Sequence, residues 1–186
     1  MVDPDKPHDY IDVAVYDTDA FIRVRGRGCF KNSPAVKLFC HEAQGRGCER
    51  FVFEMADCLG MDSTFMGMLA GLAVSLRSGA GNPIIMINLS DHNADLLKTL
   101  GLDLLLDSLG EEGTLAGLQD RMSDVIDFSL IDCPDPQSRI TIETMLAAHQ
   151  QLVDVDQDNF PKFKDVIKYL EKSVSDLAEG DQEARS

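Results

Sequence analysis

The sequence predicts a layered α/β domain, a mixed sheet of about four to five strands with helices packed on it, plus a helical C-terminal extension. Three observations predict it. Short apolar or alternating runs take turns with runs of helical period over about the first 100 residues. Gly, Pro, Asn and Asp sit at the joints between them. From about Glu111 onward only helical spacing remains.

Residues 1–9 read as a polar lead-in. Two short strands follow at 13–16 and 21–25, joined by an Asp/Thr turn; the second alternates apolar and basic residues, the mark of a sheet with one solvated face. A loop at 26–32 leads to Ser33 and Pro34, which read as N-cap and first helical position of a helix ending at Gly45. The run 50–56 is mostly apolar, as in a buried central strand. After a turn, a second helix is predicted over about 63–77. Asn82 and Pro83 punctuate the chain before another buried strand at 84–89. Ser90 and Asp91 cap a third helix that Gly101 ends, and 102–109 is an edge strand. A helix over 114–131 with Leu115, Leu118, Met122 and Ile126 on one face comes next, then a break at Cys133–Pro136. Helices at 138–153 and 160–178 follow, the latter carrying Phe163, Ile167, Leu170 and Val174 at helical spacing, and 179–186 reads as a disordered tail.

Composition excludes several classes. The chain has 32 acidic against 17 basic residues, a formal charge of −15, which repels nucleic acid and anionic membrane surfaces alike. No apolar run approaches the length needed to span a bilayer, and the N-terminus lacks the basic start and apolar stretch of a secretory signal, so a cytoplasmic protein is expected. The five cysteines are odd in number and form no CxxC pair, which points to reduced, mostly buried thiols. Cys40, His41 and Cys48 could supply metal ligands but lack paired-Cys spacing. Asp154, Asp156 and Asp158 have the spacing of a calcium loop, but Asn159 stands where the sharp turn wants glycine and Asp165 replaces the bidentate Glu, so a helix cap at Asp158 or Asn159 is the expectation. Gly26 and Gly28 form a lone GxG, read as a turn. The four histidines suggest no triad, and no catalytic constellation, metal site or cofactor site is predicted.

The informative stretch runs from Phe51 to Leu72: a buried strand, a short turn, then Met61, Asp62, Ser63 and Thr64 opening a helix of small and apolar residues. This resembles the STAS family, which includes bacterial anti-sigma factor antagonists and cytoplasmic domains of some anion transporters. The resemblance covers about residues 12–109 in element order and is motif-level only at 61–64. It implies a STAS domain at 10–112, with 113–178 as the helical extension. It also implies a non-enzymatic regulator acting by partner switching, with Ser63 (or Thr64 beside it) phosphorylated. The implied partners are an anti-sigma factor or serine kinase of the GHKL type and a PP2C-type phosphatase, with a homodimer open. The alternative within the same fold is a structural or adaptor subunit of a signalling or transport complex without a phospho-switch.

Physical chemistry bears on both readings. Free N–H groups and the helix dipole favour a phosphate at a helix N-terminus. Yet Asp, Ser and Thr are also ordinary capping residues, so the triplet alone is equally a cap. On a wheel of about 100° per residue, Phe65, Met68, Leu69, Leu72 and Leu76 form the core stripe opposite Ser63. Met66, Gly67, Ala70, Val74 and Arg77 lie on the Ser63 side, a nearly uncharged face. It is either a partner-docking surface, completed by Asp62, Thr64, Asn32 and Ser33, or a face covered by the C-terminal helices. Phe65 stands where the family usually has glycine, and is expected to point inward.

Overall fold

In the computed structural model, residues 9–77, 83–103, 107–108, 117–118, 121–122 and 127–183 are described. The chain opens with a hairpin, β1 (Tyr10–Tyr16) and β2 (Asp19–Gly28), paired antiparallel from Tyr16↔Asp19 to Tyr10↔Arg25. Its tight turn holds Asp17 at φ 56°, a left-handed conformation that Asp tolerates better than most residues. Helix α1 (Ser33–Gly45) then crosses over to β3 (Arg50–Glu54), which pairs parallel to β2. A short strand, β4 (Cys58–Met61), pairs parallel to the far end of β2 and hands the chain to α2 (Ser63–Ser75). Strand β5 (Ile84–Ile87) lies parallel to β3, α3 (Asp91–Lys98) follows, and β6 (Asp107–Ser108) forms one edge on β5. The other edge is β7 (Ser129–Leu130), antiparallel to β1, so the sheet order is β6-β5-β3-β2-β1-β7.

Alternation along the strands sorts side chains to two faces. Ala20, Ile22 and Val24 point into the larger core with Phe51, Phe53, Val36, Phe65, Leu69 and Leu72, where α1 and α2 pack. Phe21, Val52 and Ile87 point the other way, onto Leu118 and Met122, both in helical conformation. Both faces of β3 are therefore covered, which is why Phe51, Val52 and Phe53 form an unbroken apolar run. Each of these rings and branched chains contributes about 1.5–3 kcal/mol by leaving water. Asp19, fully buried where β2 begins, accepts hydrogen bonds from Arg50 Nε (2.6 Å) and Nη2 (2.9 Å) and from Arg121 Nη1 (2.7 Å).

The extension is a helical hairpin. Helix α4 (Arg139–Val155) begins at Ser138, whose hydroxyl caps Thr141 N–H, and a 3-10 turn (Gln157–Asn159) leads into α5 (Phe160–Glu183). Thr141, Thr144, Ala148 and Leu152 line the buried side of α4, which packs along α2. Leu170 of α5 is buried, Phe163 packs against the core, and Ile167 and Val174 are half-buried.

Several elements differ from the sequence reading. Asn32, not Ser33, precedes the first helical residue, and Asn32 turns its side chain to Cys29 N–H and Arg27 C=O instead of capping. β2 runs past residue 25 to Gly28 because β4 offers it a partner, and β4 itself occupies what was read as a plain turn. Ser129–Leu130, placed in a helix by periodicity, instead pairs with Asp12 and Val13 on the open edge of β1. Helix α5 continues through 179–183, where a disordered tail was expected. Leu115 and Ile126, the lead-in at 1–8, the strand residues 104–106 and the last residues of the tail lie outside the described set.

Candidate functional site

β4 delivers Asp62 in extended conformation (φ −88°, ψ 170°), the geometry of an N-cap. Its Oδ1 accepts from Phe65 N–H at 2.8 Å and closes the first turn of α2. Its Oδ2 accepts from Phe30 N–H at 2.9 Å, while Asp62 N–H donates to Gly28 C=O at 3.0 Å. One carboxylate thus caps the helix and holds the loop between β2 and α1 against it. Asn32 ends that loop and Ser33 opens α1. Both are buried, and the Ser33 hydroxyl donates to Cys29 C=O at 2.8 Å.

Ser63, half-buried, is the first residue of α2. Its Oγ lies 2.9 Å from Nε2 of His149 on α4. Nδ1 of the same ring lies 2.7 Å from Met145 C=O. A carbonyl only accepts, so Nδ1 carries the hydrogen; in the neutral ring Nε2 then accepts, and the Ser63 hydroxyl donates to it. The imidazole is 4% exposed and meets the Phe163 ring edge-on, centroids 5.1 Å apart. A serine hydroxyl on α2, an imidazole on α4 and an orienting α4 carbonyl therefore form one hydrogen-bonded chain.

The other expected residues divide. Phe65 is fully buried and points inward as the wheel requires. A Cβ at Gly28 would stand 2.7 Å from its ring, so the glycine makes room for it. Thr64 is buried. Met66, Gly67 and Ala70 are buried as well, and Gly67 lies where α4 crosses α2. At Gly67 the helices meet backbone to backbone: a Cβ there would come within 2.2 Å of Ala148 C=O. Val74 and Arg77 remain exposed. Of the two readings of this face, the structure shows its first two turns covered by the chain's own extension.

His149 was set aside in the sequence with the other histidines, which lie in different elements and suggest no triad; it stands 86 residues from Ser63. Its one signal is placement on the apolar side of α4, next to Ala148 and in step with Thr141 and Leu152.

The sequences set aside as metal candidates are otherwise engaged. Burial pushes the Cys40 and Cys48 thiols up, away from the thiolate a metal needs. Asp156 Oδ1 accepts from Asp158 N–H at 2.9 Å and closes the 3-10 turn. Asn159, fully buried, donates to Leu100 C=O (3.0 Å) and Leu152 C=O (2.9 Å), fastening the hairpin to the end of α3. Among the described residues, no group of three His, Cys, Asp or Glu side chains is arranged to hold a metal ion, and no helix is long and apolar enough to cross a membrane.

No protein-family model matches the sequence, and no curated protein matches it either. Among solved structures, the chain is similar to the anti-sigma factor antagonist SpoIIAA in its unphosphorylated form, at 18% identity and a TM-score of 0.48, over 63% of this chain and 99% of that one. It is also similar to an anti-sigma factor antagonist from Mycobacterium paratuberculosis, at 16% identity and a TM-score of 0.49, over 68% of this chain and all of the other.

Proposed function

We propose that this protein is a non-enzymatic regulator of the anti-sigma factor antagonist kind, which binds protein partners at the start of α2 and is switched by phosphorylation of Ser63. The observation that carries the reading is the position of that hydroxyl. It sits on the first residue of a helix whose cap, Asp62, also holds the neighbouring loop. The strand, turn and helix around it are those on which the STAS resemblance rests.

The chemistry is consistent. The Ser63 oxygen takes the γ-phosphoryl group of a nucleoside triphosphate as the bond to the β-phosphate oxygen breaks; the diphosphate leaves, and the hydroxyl proton passes to a base of the kinase. The product carries nearly two negative charges and three acceptor oxygens at the positive end of the α2 dipole, which favours it. The same charge repels any partner whose docking surface fits the unmodified hydroxyl. A serine kinase of the GHKL type that doubles as anti-sigma factor would be the partner, and a PP2C-type phosphatase would reset the switch.

A second reading keeps the binding role without a switch. It is favoured by one contact, the hydrogen bond that already commits the Ser63 hydroxyl to His149. The protein would then be an adaptor subunit, and Ser63 a structural residue.

The two part on one experiment. Purified protein is incubated with lysate of its native organism and ATP, and phosphosites are mapped by mass spectrometry for the wild type and Ser63→Ala. Phosphate at Ser63, absent from the variant, supports the switch. Phosphate that never appears at Ser63 refutes it and leaves the adaptor reading.

A further inference from the structure

The face that the proposed switch would use is occupied by the protein itself. We propose that the α4–α5 hairpin is an intramolecular occupant of the Ser63 face, so that phosphorylation of Ser63, or docking of a partner on Met66, Gly67 and Ala70, each requires α4 to lift. This rests on reading Ser63 as the acceptor of the phosphoryl group.

Three contacts at separate points hold the hairpin down. At the N-terminus of α2, His149 Nε2 takes the Ser63 hydroxyl at 2.9 Å, its ring fixed in turn by Met145 C=O and backed by Phe163. One turn further, Gly67 lets Ala148 approach so closely that any side chain would collide with its carbonyl. At the far end, Asn159 bonds the Leu100 carbonyl and Lys162 Nζ reaches Thr99 C=O at 3.0 Å. Between Leu130 and α4 the chain runs through Pro134 and Pro136 without helix or strand, with Asp132, Cys133, Asp135 and Pro136 exposed. That stretch can absorb a change of angle while the Asn159 end stays anchored.

The Ser63–His149 contact of the closed arrangement cannot survive the modification. A phosphoryl group inserts a phosphorus and three oxygens where Ser63 Oγ and Nε2 are now in hydrogen-bond contact, next to buried Thr64 and Met66. If the modified side chain turns to solvent instead, the bond to His149 is lost all the same. Gly67 offers an uncharged way to the same end. Gly67→Ala keeps α2 helical, since alanine is the better helix former, and drives a methyl into Ala148.

The test is amide hydrogen exchange on the full chain in three forms: wild type, phosphoserine genetically encoded at position 63, and Gly67→Ala. In both altered forms the amides of α4 should exchange at least tenfold faster, while those of β1, β2 and β3 keep their wild-type rates. Unchanged protection of α4 in the phosphoserine form overturns the proposal, since the phosphate would then fit beneath the closed hairpin. Acceleration spread equally over the sheet also overturns it, because the hairpin would be inseparable from the core. A chain that opens on phosphoserine but is never phosphorylated in lysate keeps this inference and loses the switch; one phosphorylated in lysate without opening does the reverse.

Discussion

Replacing Asp62 tests whether the start of α2 is merely capped or is also the anchor of the adjoining loop. The two carboxylate oxygens do separate work, Oδ1 on Phe65 N–H and Oδ2 on Phe30 N–H. Losing a capping side chain costs about 1 kcal/mol. A hydrogen bond to a charged acceptor is worth about 1.5–3 kcal/mol, and half-exposure of Asp62 favours the lower end. Asp62→Ala should therefore cost about 2–3 kcal/mol in urea unfolding at constant m-value. Asp62→Asn keeps its one oxygen for the cap and turns its amide nitrogen toward Phe30 N–H, so it should lose about 1.5–2 kcal/mol. Hydrogen exchange adds a local check. The Phe30 amide should exchange faster in both variants, and the Phe65 amide mainly in Asp62→Ala. If Asp62→Ala costs less than about 0.5 kcal/mol, or if Asp62→Asn matches the wild type at both amides, the carboxylate does not hold the loop and the reasoning fails.

Gly28→Ala should cost about 1–3 kcal/mol, because its methyl lands on the buried Phe65 ring, and Phe65→Leu in the same chain should recover part of that loss in thermal unfolding. In the native protein, Cys133 should take up iodoacetamide first, since it is exposed, while Cys40, Cys48 and Cys58 react slowly. Burial raises the thiol pKa of these three, and desolvation raises that of Cys133 too, so exposure is what sets Cys133 apart; labelling of the buried three should climb only as the pH is taken well above the ordinary thiol range, read by peptide mapping of timed samples.

The parts of the fold legible in the sequence are those fixed by local pattern. β3 and β5 showed as apolar runs because both their faces are covered, and α2 showed its core stripe because Phe65, Leu69 and Leu72 recur at helical spacing. β4 and β7 were not legible. Four residues including Gly60, and the pair Ser129–Leu130, have no periodicity of their own and are strands only because Gly26–Gly28 and β1 offer free edges. The site divides the same way. Asp62 and Ser63 were visible as a cap; Asp62's second bond, to Phe30, and the Ser63–His149 contact join segments far apart in the chain. Gly67 carried a trace of this: a glycine inside a helix weakens it unless something must come close, and here a second helix does.

The buried Asp19 carboxylate has a consequence for synthesis of the chain. Its guanidinium partners come from Arg50, in the next strand, and from Arg121, a hundred residues further along. While the ribosome is still short of residue 121, the hairpin and β3 can pair, but the carboxylate at their base has only one of its two cations. A fragment ending at residue 112 would keep the Arg50 pair but would permanently lack the bond from Arg121 Nη1 to Asp19 Oδ2. The base of the nascent sheet therefore gains its last hydrogen bond only after residue 121 has emerged, which ties completion of the first strands to the arrival of a late helical residue.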